Sequence, residues 1–300
     1  MSVIIGTTNL DGTGSSADLT PENGFIVPDF FNQDGIIAAT INSQYDVPFT
    51  SFVLQSAEWN KAGYKEAKVD GSYESITIDN FVDVDITNQS STGTSHIDVL
   101  NVKRGQIDTT GVESDDSIYV GVRSNSDAWG NTFEIETGAG DDNVTLAGFM
   151  GSEYTEFKIE LGEGNDVVDI STIEAASHTD KERVIEGGEG LDTLVTNGDA
   201  VVRFEGFEVV EGTGFESGLT LDAETLENNV GNDLGLVVAN IDVSFGEGIS
   251  EYEIEMLDQE HIDYLNQLGY EATDFSLVNV YTDADESFTL LVEDDDYALV

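Results

Sequence analysis

Between residues 138 and 194 one short phrase recurs three times: Gly138-Ala-Gly140-Asp-Asp142-Asn-Val144, Gly162-Glu-Gly164-Asn-Asp166-Val-Val168 and Gly188-Glu-Gly190-Leu-Asp192-Thr-Leu194. Asp142 and Asp166 lie 24 residues apart, and Asp166 and Asp192 lie 26 apart. A further step back of 26 from Asp142 reaches Asp116, in Gly111-Val-Glu-Ser-Asp-Asp116-Ser-Ile118, which keeps the acid and the aliphatic but has lost the glycine spacing. It reads as a decayed copy. A fixed period of this length is the mark of a repeat architecture, in which each unit is one supersecondary element stacked on the next.

The flanks repeat as well. Phe133-Glu-Ile135-Glu, Phe157-Lys-Ile159-Glu and Arg183-Val184-Ile185-Glu precede the turns, and Val144-Thr-Leu146, Val168-Asp-Ile170 and Leu194-Val-Thr follow them. Alternation of period two is the pattern of a half-buried strand, with Phe133, Ile135, Val144 and Leu146 inward. Strand, turn, strand and variable connection make one coil of a parallel β-solenoid. Ile76-Thr-Ile78, Phe81 to Ile86 and Ile97 to Val102 read as glycine-free coils upstream, and Val201 to Val210 as the last one downstream.

The expected fold is therefore mainly β: a right-handed parallel β-solenoid with its turns on one edge, plus a small α+β C-terminal domain. The expected divisions are 1–72, an N-terminal cap or small β domain; 73–218, the solenoid; and 219–300, the α+β domain. On the order of six coils at about 4.8 Å each give a rod of roughly 25 to 30 Å. In the last segment Asp258 reads as the N-cap and Gly269 as the C′ residue of a helix carrying Ile262, Leu265 and Leu268. Phe275 to Tyr281 and Phe288 to Val292 then read as a hairpin around Asp283 to Glu286.

The turn residues carry their own chemistry. Ca2+ takes six to eight oxygen ligands from carboxylates and backbone carbonyls. Glycines in the first and third places permit positive φ, which lets carbonyls bend toward one point, while the aspartate reaches the same point. One turn supplies about half a shell, so the ion is expected between stacked coils. Candidate ligands are Gly138, Gly140, Asp142, Gly162, Gly164, Asp166, Gly188, Gly190 and Asp192, with Asp116 a further candidate. No catalytic residue is expected.

The segment resembles the hemolysin-type calcium-binding repeat, or RTX, family of secreted bacterial proteins, whose nonapeptide is GGxGxDxUx. Gly187 to Leu194 matches it fully; the copies at Gly138 and Gly162 have Thr137 and Leu161 in place of the leading glycine, and the match covers about a fifth of the chain. Family turns recur every nine residues on both edges, whereas here they recur every 24 to 26, which places them on one edge. The resemblance implies calcium as ligand and one-step export guided by an uncleaved C-terminal signal. The ending Asp294-Asp-Asp296-Tyr-Ala-Leu-Val300 has the acidic-then-apolar character of such a signal.

Composition narrows the partners. The chain has 61 acidic against 10 basic residues, a formal charge of −51. That field repels nucleic acid and acidic bilayers and attracts cations. With 39% apolar residues the chain is nonetheless able to bury a core. Cysteine is absent, which removes disulfides and thiolate metal sites. No apolar run is long enough to span a membrane, and Met1 to Thr20 lacks the basic and apolar regions of a signal peptide. The expected location is extracellular or at the cell surface, reached without an N-terminal signal peptide.

His96, His178 and His261 lie apart, and no HExxH, GxSxG or P-loop is present. The expected function is a non-enzymatic, secreted calcium-binding structural protein of a surface layer, matrix or filament that folds and self-associates on meeting calcium. A cell-surface polysaccharide is a further candidate partner. Two alternatives stand beside it. One is a calcium-dependent β-solenoid polysaccharide lyase or other carbohydrate-active enzyme, drawing on Lys103, Arg104, Arg123, Lys158, Arg183 or Arg203. The other is an acidic cytosolic protein of a halophile.

Overall fold

A single row of apolar side chains organises the chain. Val3, Phe52, Ile76, Ile97, Ile118, Val144, Val168, Leu194, Val210, Val238 and Val292 stand opposite one another in consecutive parallel pairings. From Ile76 onward every member is buried. A second row, Ile41, Val69, Ile86, Ile107, Ile135, Ile159, Ile185 and Phe204, faces it from another sheet. Because β side chains alternate, keeping the members from Val69 onward inward fixes the register of each of their coils on the next.

The computed structural model describes the strands Ser2–Thr7, Asp29–Gln33, Ile36–Asn42 and Ser51–Ser56, and residues 64–293 except 90–92, 112, 124–129, 149–151, 177–181, 199–201, 214–217 and 230–233. Side-chain surroundings are described from Ala67 onward. The tail 294–300, which holds the expected export signal, and His178 lie outside the described residues, as do 1, 8–28, 34–35, 43–50 and 57–63.

The protein is a mainly β parallel solenoid. Its first sheet has thirteen described strands and its second nine. Chain order alternates between them: Tyr64–Gly71, Asp83–Asn88, Arg104–Asp108, Asn131–Ala139, Thr155–Glu163, Arg183–Glu189 and Arg203–Glu205 lie in the second sheet. Each is followed by a first-sheet strand, respectively Ser75–Asp79, Thr94–Val102, Asp115–Val122, Asn143–Ala147, Val167–Asp169, Thr193–Thr196 and Val209–Gly212. Turns from the second sheet to the first therefore all fall on one edge, and the returns fall on the other.

The strand ladders run through both expected divisions. Ser2–Thr7 and Ser51–Ser56 extend the first sheet before residue 73, and Ile36–Asn42 extends the second. Beyond residue 218, Leu236–Ala239 and Ser287–Glu293 continue the first sheet in parallel. Those outer coils lack the glycine and aspartate marker, so turn spacing alone stops short of them; the apolar register carries the stack onward.

At the C-terminal end a third, two-stranded parallel sheet joins Gly218–Leu221 to Asp242–Phe245. The second sheet is closed there by helix α1, Ala223–Asn228, N-capped by Asp222, whose carboxylate accepts the Thr225 N–H at 2.8 Å. Asn229 completes the closure: its amide donates to Phe204 O at 2.9 Å and its Oδ1 accepts the Phe207 N–H at 3.0 Å. The first sheet instead adds a hairpin, Phe275–Thr282 antiparallel to Ser287–Glu293, and then Ile249–Glu255 antiparallel to Phe275–Thr282.

Helix α2, Gln259–Leu268, has the expected ends, with Asp258 accepting from the Glu260 and His261 N–H groups and Gly269 at φ 93°. It lays Leu265 over Val209, Val237, Ala239, Leu277 and Leu291 on the outer face of the first sheet. Among the described residues no helix is long and apolar enough to cross a membrane.

Candidate metal centre

Successive turns on the glycine edge stack closely enough to exclude side chains. Gly138, Gly140, Gly162, Gly164, Gly188 and Gly190 all have φ between 105° and 149°. A Cβ on Gly164 would fall 1.8 Å from Gly140 O, and one on Gly162 would fall 1.9 Å from Gly138 O. Glycine here is required by sterics as well as by φ, because each coil's carbonyl points at the Cα above it.

This stacking aligns the aspartates into a buried ladder. The Asp116 N–H donates to Asp142 Oδ1 at 2.7 Å, the Asp142 N–H to Asp166 Oδ1 at 2.7 Å, and the Asp166 N–H to Asp192 Oδ1 at 2.9 Å. The Asp192 N–H donates to Glu208 Oε2 at 2.8 Å. Asp116 and Asp142 are 2% exposed and Asp166 and Asp192 0%, which is rare for carboxylates without an ionic partner. The three complete copies and the decayed copy are thus brought together in one continuous array.

One oxygen of each aspartate is left over. Oδ2 of Asp116, Asp142, Asp166 and Asp192 is buried without a hydrogen-bond partner. The Thr109 and Thr137 hydroxyls stand beside the Asp116 and Asp142 carboxylates and partly favour their charged forms, while they also reach the carbonyls of Thr137 and Leu161. Burial, reinforced by neighbouring acids, pushes the Asp142 carboxyl up to about 7 and those of Asp166 and Asp192 up to about 6. The Asp116 and Glu208 carboxyls are also raised, mainly by burial. An anion held without a counter-charge in such a place is unfavourable, and the array is relieved by a cation or by protons.

A second, outer ladder runs beside the first with opposite polarity. The Asp141 N–H donates to Asp115 Oδ1 at 3.0 Å, the Asn165 N–H to Asp141 Oδ1 at 2.8 Å, and the Leu191 N–H to Asn165 Oδ1 at 3.1 Å. Glu113, Asp115, Asp141 and Glu163 line a groove of about 660 Å³ over these turns.

Among the described residues no three acidic or imidazole side chains gather into a metal cluster. Calcium could be held here by one or two carboxylates together with carbonyls, as the glycine stacking allows. The orphaned Oδ2 atoms, and the carbonyls of the glycine turns, are oxygen donors of the kind a hard cation takes. The two described imidazoles stand elsewhere: His96 is 3.2 Å from Asp98 and His261 is 2.8 Å from its own helix cap Asp258.

The opposite edge holds a different device. Arg183 occupies the position in register with Phe157 and Phe133, inside the stack, and is 3% exposed. Its guanidinium donates to Thr155 O at 2.9 Å, Glu174 O at 2.8 Å and Ser152 O at 3.1 Å, and sits 5.7 Å from the Phe157 ring centre. Burial pulls this guanidinium down to about 10. Of the other bases, Lys158 is paired with Glu160 and Lys68 with Asp85 on the sheet surface.

Two ladder members escape the aspartate spacing. Glu208 closes one end, and Ser95, whose hydroxyl donates to Asp116 Oδ1 at 2.6 Å, closes the other. Both carry a reduced signal, glycine, any residue, polar residue, any residue, aliphatic: Gly206-Phe-Glu208-Val-Val210 and Gly93-Thr-Ser95-His-Ile97. In comparisons with known proteins no family model, curated protein or solved structure matches the chain.

Proposed function

We propose that this chain is a secreted, non-enzymatic calcium-binding structural protein of the RTX type, which folds and self-associates when it meets extracellular calcium. The observation that carries the reading is the buried ladder, in which each of four stacked turns keeps one carboxylate oxygen without a partner. Asp142, Asp166 and Asp192, with the carbonyls of the glycine turns around them, would hold the ions, and Asp116 would extend the row.

Bound calcium would supply the positive charge that neutralises adjacent acids of neighbouring coils. The residues themselves do the rest. The glycines bring carbonyls and carboxylates of successive coils together, and the apolar rows keep the coils in register. With calcium scarce, a net charge of −51 and the unrelieved ladder both oppose compaction. At millimolar calcium, affinities of about 10⁻⁴ to 10⁻³ M give roughly 0.4 to 1.4 kcal/mol of stability per site. Such affinities would couple folding to location outside the cell, with the tail 294–300 as export signal.

Circular dichroism and thermal melting in chelator and in millimolar calcium test the reading. A rise in β content or melting temperature with calcium, not reproduced by equal ionic strength of sodium, is the expected result. Identical spectra and melts in the two buffers would sink it.

A further inference from the structure

The two ends of the first sheet are not alike, and their difference assigns a partner. At the C-terminal end Ile249–Glu255 is the outermost described strand, and at the other end it is Ser2–Thr7. In the cross-strand pairing Tyr252 stands opposite Val280 and Ile254 opposite Val278. Val278 and Val280 are fully buried members of the main core, so Tyr252 and Ile254 lie on its inner face. Yet Tyr252 is 45% exposed, Ile254 57% and the following Met256 92%, and these are the large apolar side chains exposed among the described residues. The core thus ends on an apolar layer in which the Tyr252 ring packs against Phe245 at 5.1 Å and which no further described strand of this sheet covers.

Strand direction selects what can cover that layer. Leu236–Ala239 is parallel to Ser287–Glu293, which is antiparallel to Phe275–Thr282, which is antiparallel to Ile249–Glu255. Two reversals restore the original sense, so Ile249–Glu255 runs in the same direction as Ser2–Thr7. A second copy related by translation along the stack therefore presents Ser2–Thr7 in parallel to the free edge. In register, its Val3 and Ile5 stand at the positions of Phe52 and Leu54, and through them Ile76 and Ile78, the inward positions of this sheet.

Charge points the same way. Ile249–Glu255 contributes Glu251, Glu253 and Glu255, whereas Ser2–Thr7 carries no charged residue. Two copies meeting by their acidic edges would place these glutamates against one another, and like charges on facing strands are destabilising. The second sheet offers no competing route at this end, since α1 and Asn229 close it.

We propose that copies of this chain join head to tail by strand addition, the Ser2–Thr7 edge of one completing the Tyr252, Ile254 and Met256 layer of the next. The contact is heterologous and does not close on itself, so it generates a linear filament. It deepens the self-association in the function proposed above and rests on that reading.

Sedimentation of the full chain tests it, in whichever buffer circular dichroism shows the β fold. Wild type is expected to sediment as a series of multimers whose mean size grows with concentration. Ile254→Lys, at an exposed site, and Ile4→Pro, at the other edge, are each expected to remain monomeric. Gly6→Pro replaces Ile4→Pro should the latter lose the β spectrum. Because each variant keeps one sound end, an equimolar mixture is expected to form a complex of twice the monomer mass and nothing larger.

Wild type that stays monomeric at every concentration would overturn the proposal. So would a dimer that survives Ile4→Pro, which would mean that the acidic edges pair with each other, or a mixture that fails to associate. A folded, calcium-responsive but monomeric protein would remove this inference alone. A calcium-indifferent protein that still multimerises would remove the calcium reading and keep the contact.

Discussion

The two edges of the solenoid bury opposite charges and resolve them differently. On the turn edge four aspartates are interred one above another, each with one oxygen unpartnered. On the return edge one arginine is interred, and Nε, Nη1 and Nη2 all reach backbone carbonyls. Arg183 is satisfied by carbonyls of the protein itself, whereas each aspartate keeps one buried oxygen without a hydrogen-bond partner. A buried charge is tolerated where hydrogen bonds satisfy it and becomes a switch where they do not.

The widest test of that contrast is pH, because it acts on all the ladder carboxylates together. Folded-state values of about 7 for Asp142 and about 6 for Asp166 and Asp192 lie above the ordinary carboxylate value of 3.8. For such a raised group the stabilisation is fully present below about pH 4 and is lost as pH rises through about 6 to 7. In metal-free buffer the melting temperature should therefore fall between pH 4.5 and pH 8, and calcium should flatten that fall. A metal-free melt that is level across this window would show that the turn edge is as self-sufficient as the return edge.

Single substitutions sharpen the contrast further. Gly164→Ala should cost about 4 kcal/mol with or without calcium, from the Cβ placed against Gly140 O together with the strained φ, as read by denaturant unfolding. Arg183→Met should cost about 3 kcal/mol, since three carbonyls lose their donors, and the loss should be equal in chelator and in calcium. A calcium-dependent loss at Arg183 would couple the edges that the structure keeps separate.

The smallest effect is the most diagnostic. Asp166→Asn keeps an acceptor for the Asp142 N–H and removes the buried charge. It should raise stability in chelator by about 1 kcal/mol and remove about as much of the stabilisation that calcium adds. Calorimetric titration should show one fewer site. If Asn weakens the chelated protein as much as it weakens the calcium-loaded one, the ladder is a hydrogen-bonded spine and nothing more.

Legibility in the sequence followed the physics of each part. The turn glycines were readable because positive φ and a carbonyl pressed against Cα admit almost no other residue. The α2 ends were readable for a similar reason, since Asp258 and Gly269 each perform a local task. Glu208 was hidden because its longer side chain does the work of an aspartate from a coil only 16 residues on. Arg183 was hidden because alternation marks a strand's two faces without saying which face a long basic side chain takes. Its neighbours Val184 and Ile185 are buried too, so the pattern around it carries no contrast. The outer coils were hidden because their register depends on apolar partners up to 54 residues away, as for Val238 and Val292, which no local spacing reports.

The inner ladder also has a polarity. The N–H of each ladder aspartate is completed by a carboxylate that comes later in the chain, the last of them by Glu208. The outer ladder runs the other way, but water can stand in for its exposed members. Assembly that begins at the Glu208 end therefore offers a waiting acceptor to each arriving coil. Assembly from the opposite end seals an open donor at every step until the next coil comes. The inner ladder thus ends on its final acceptor, Glu208, at the C-terminal side, and its donors open toward the N-terminal side.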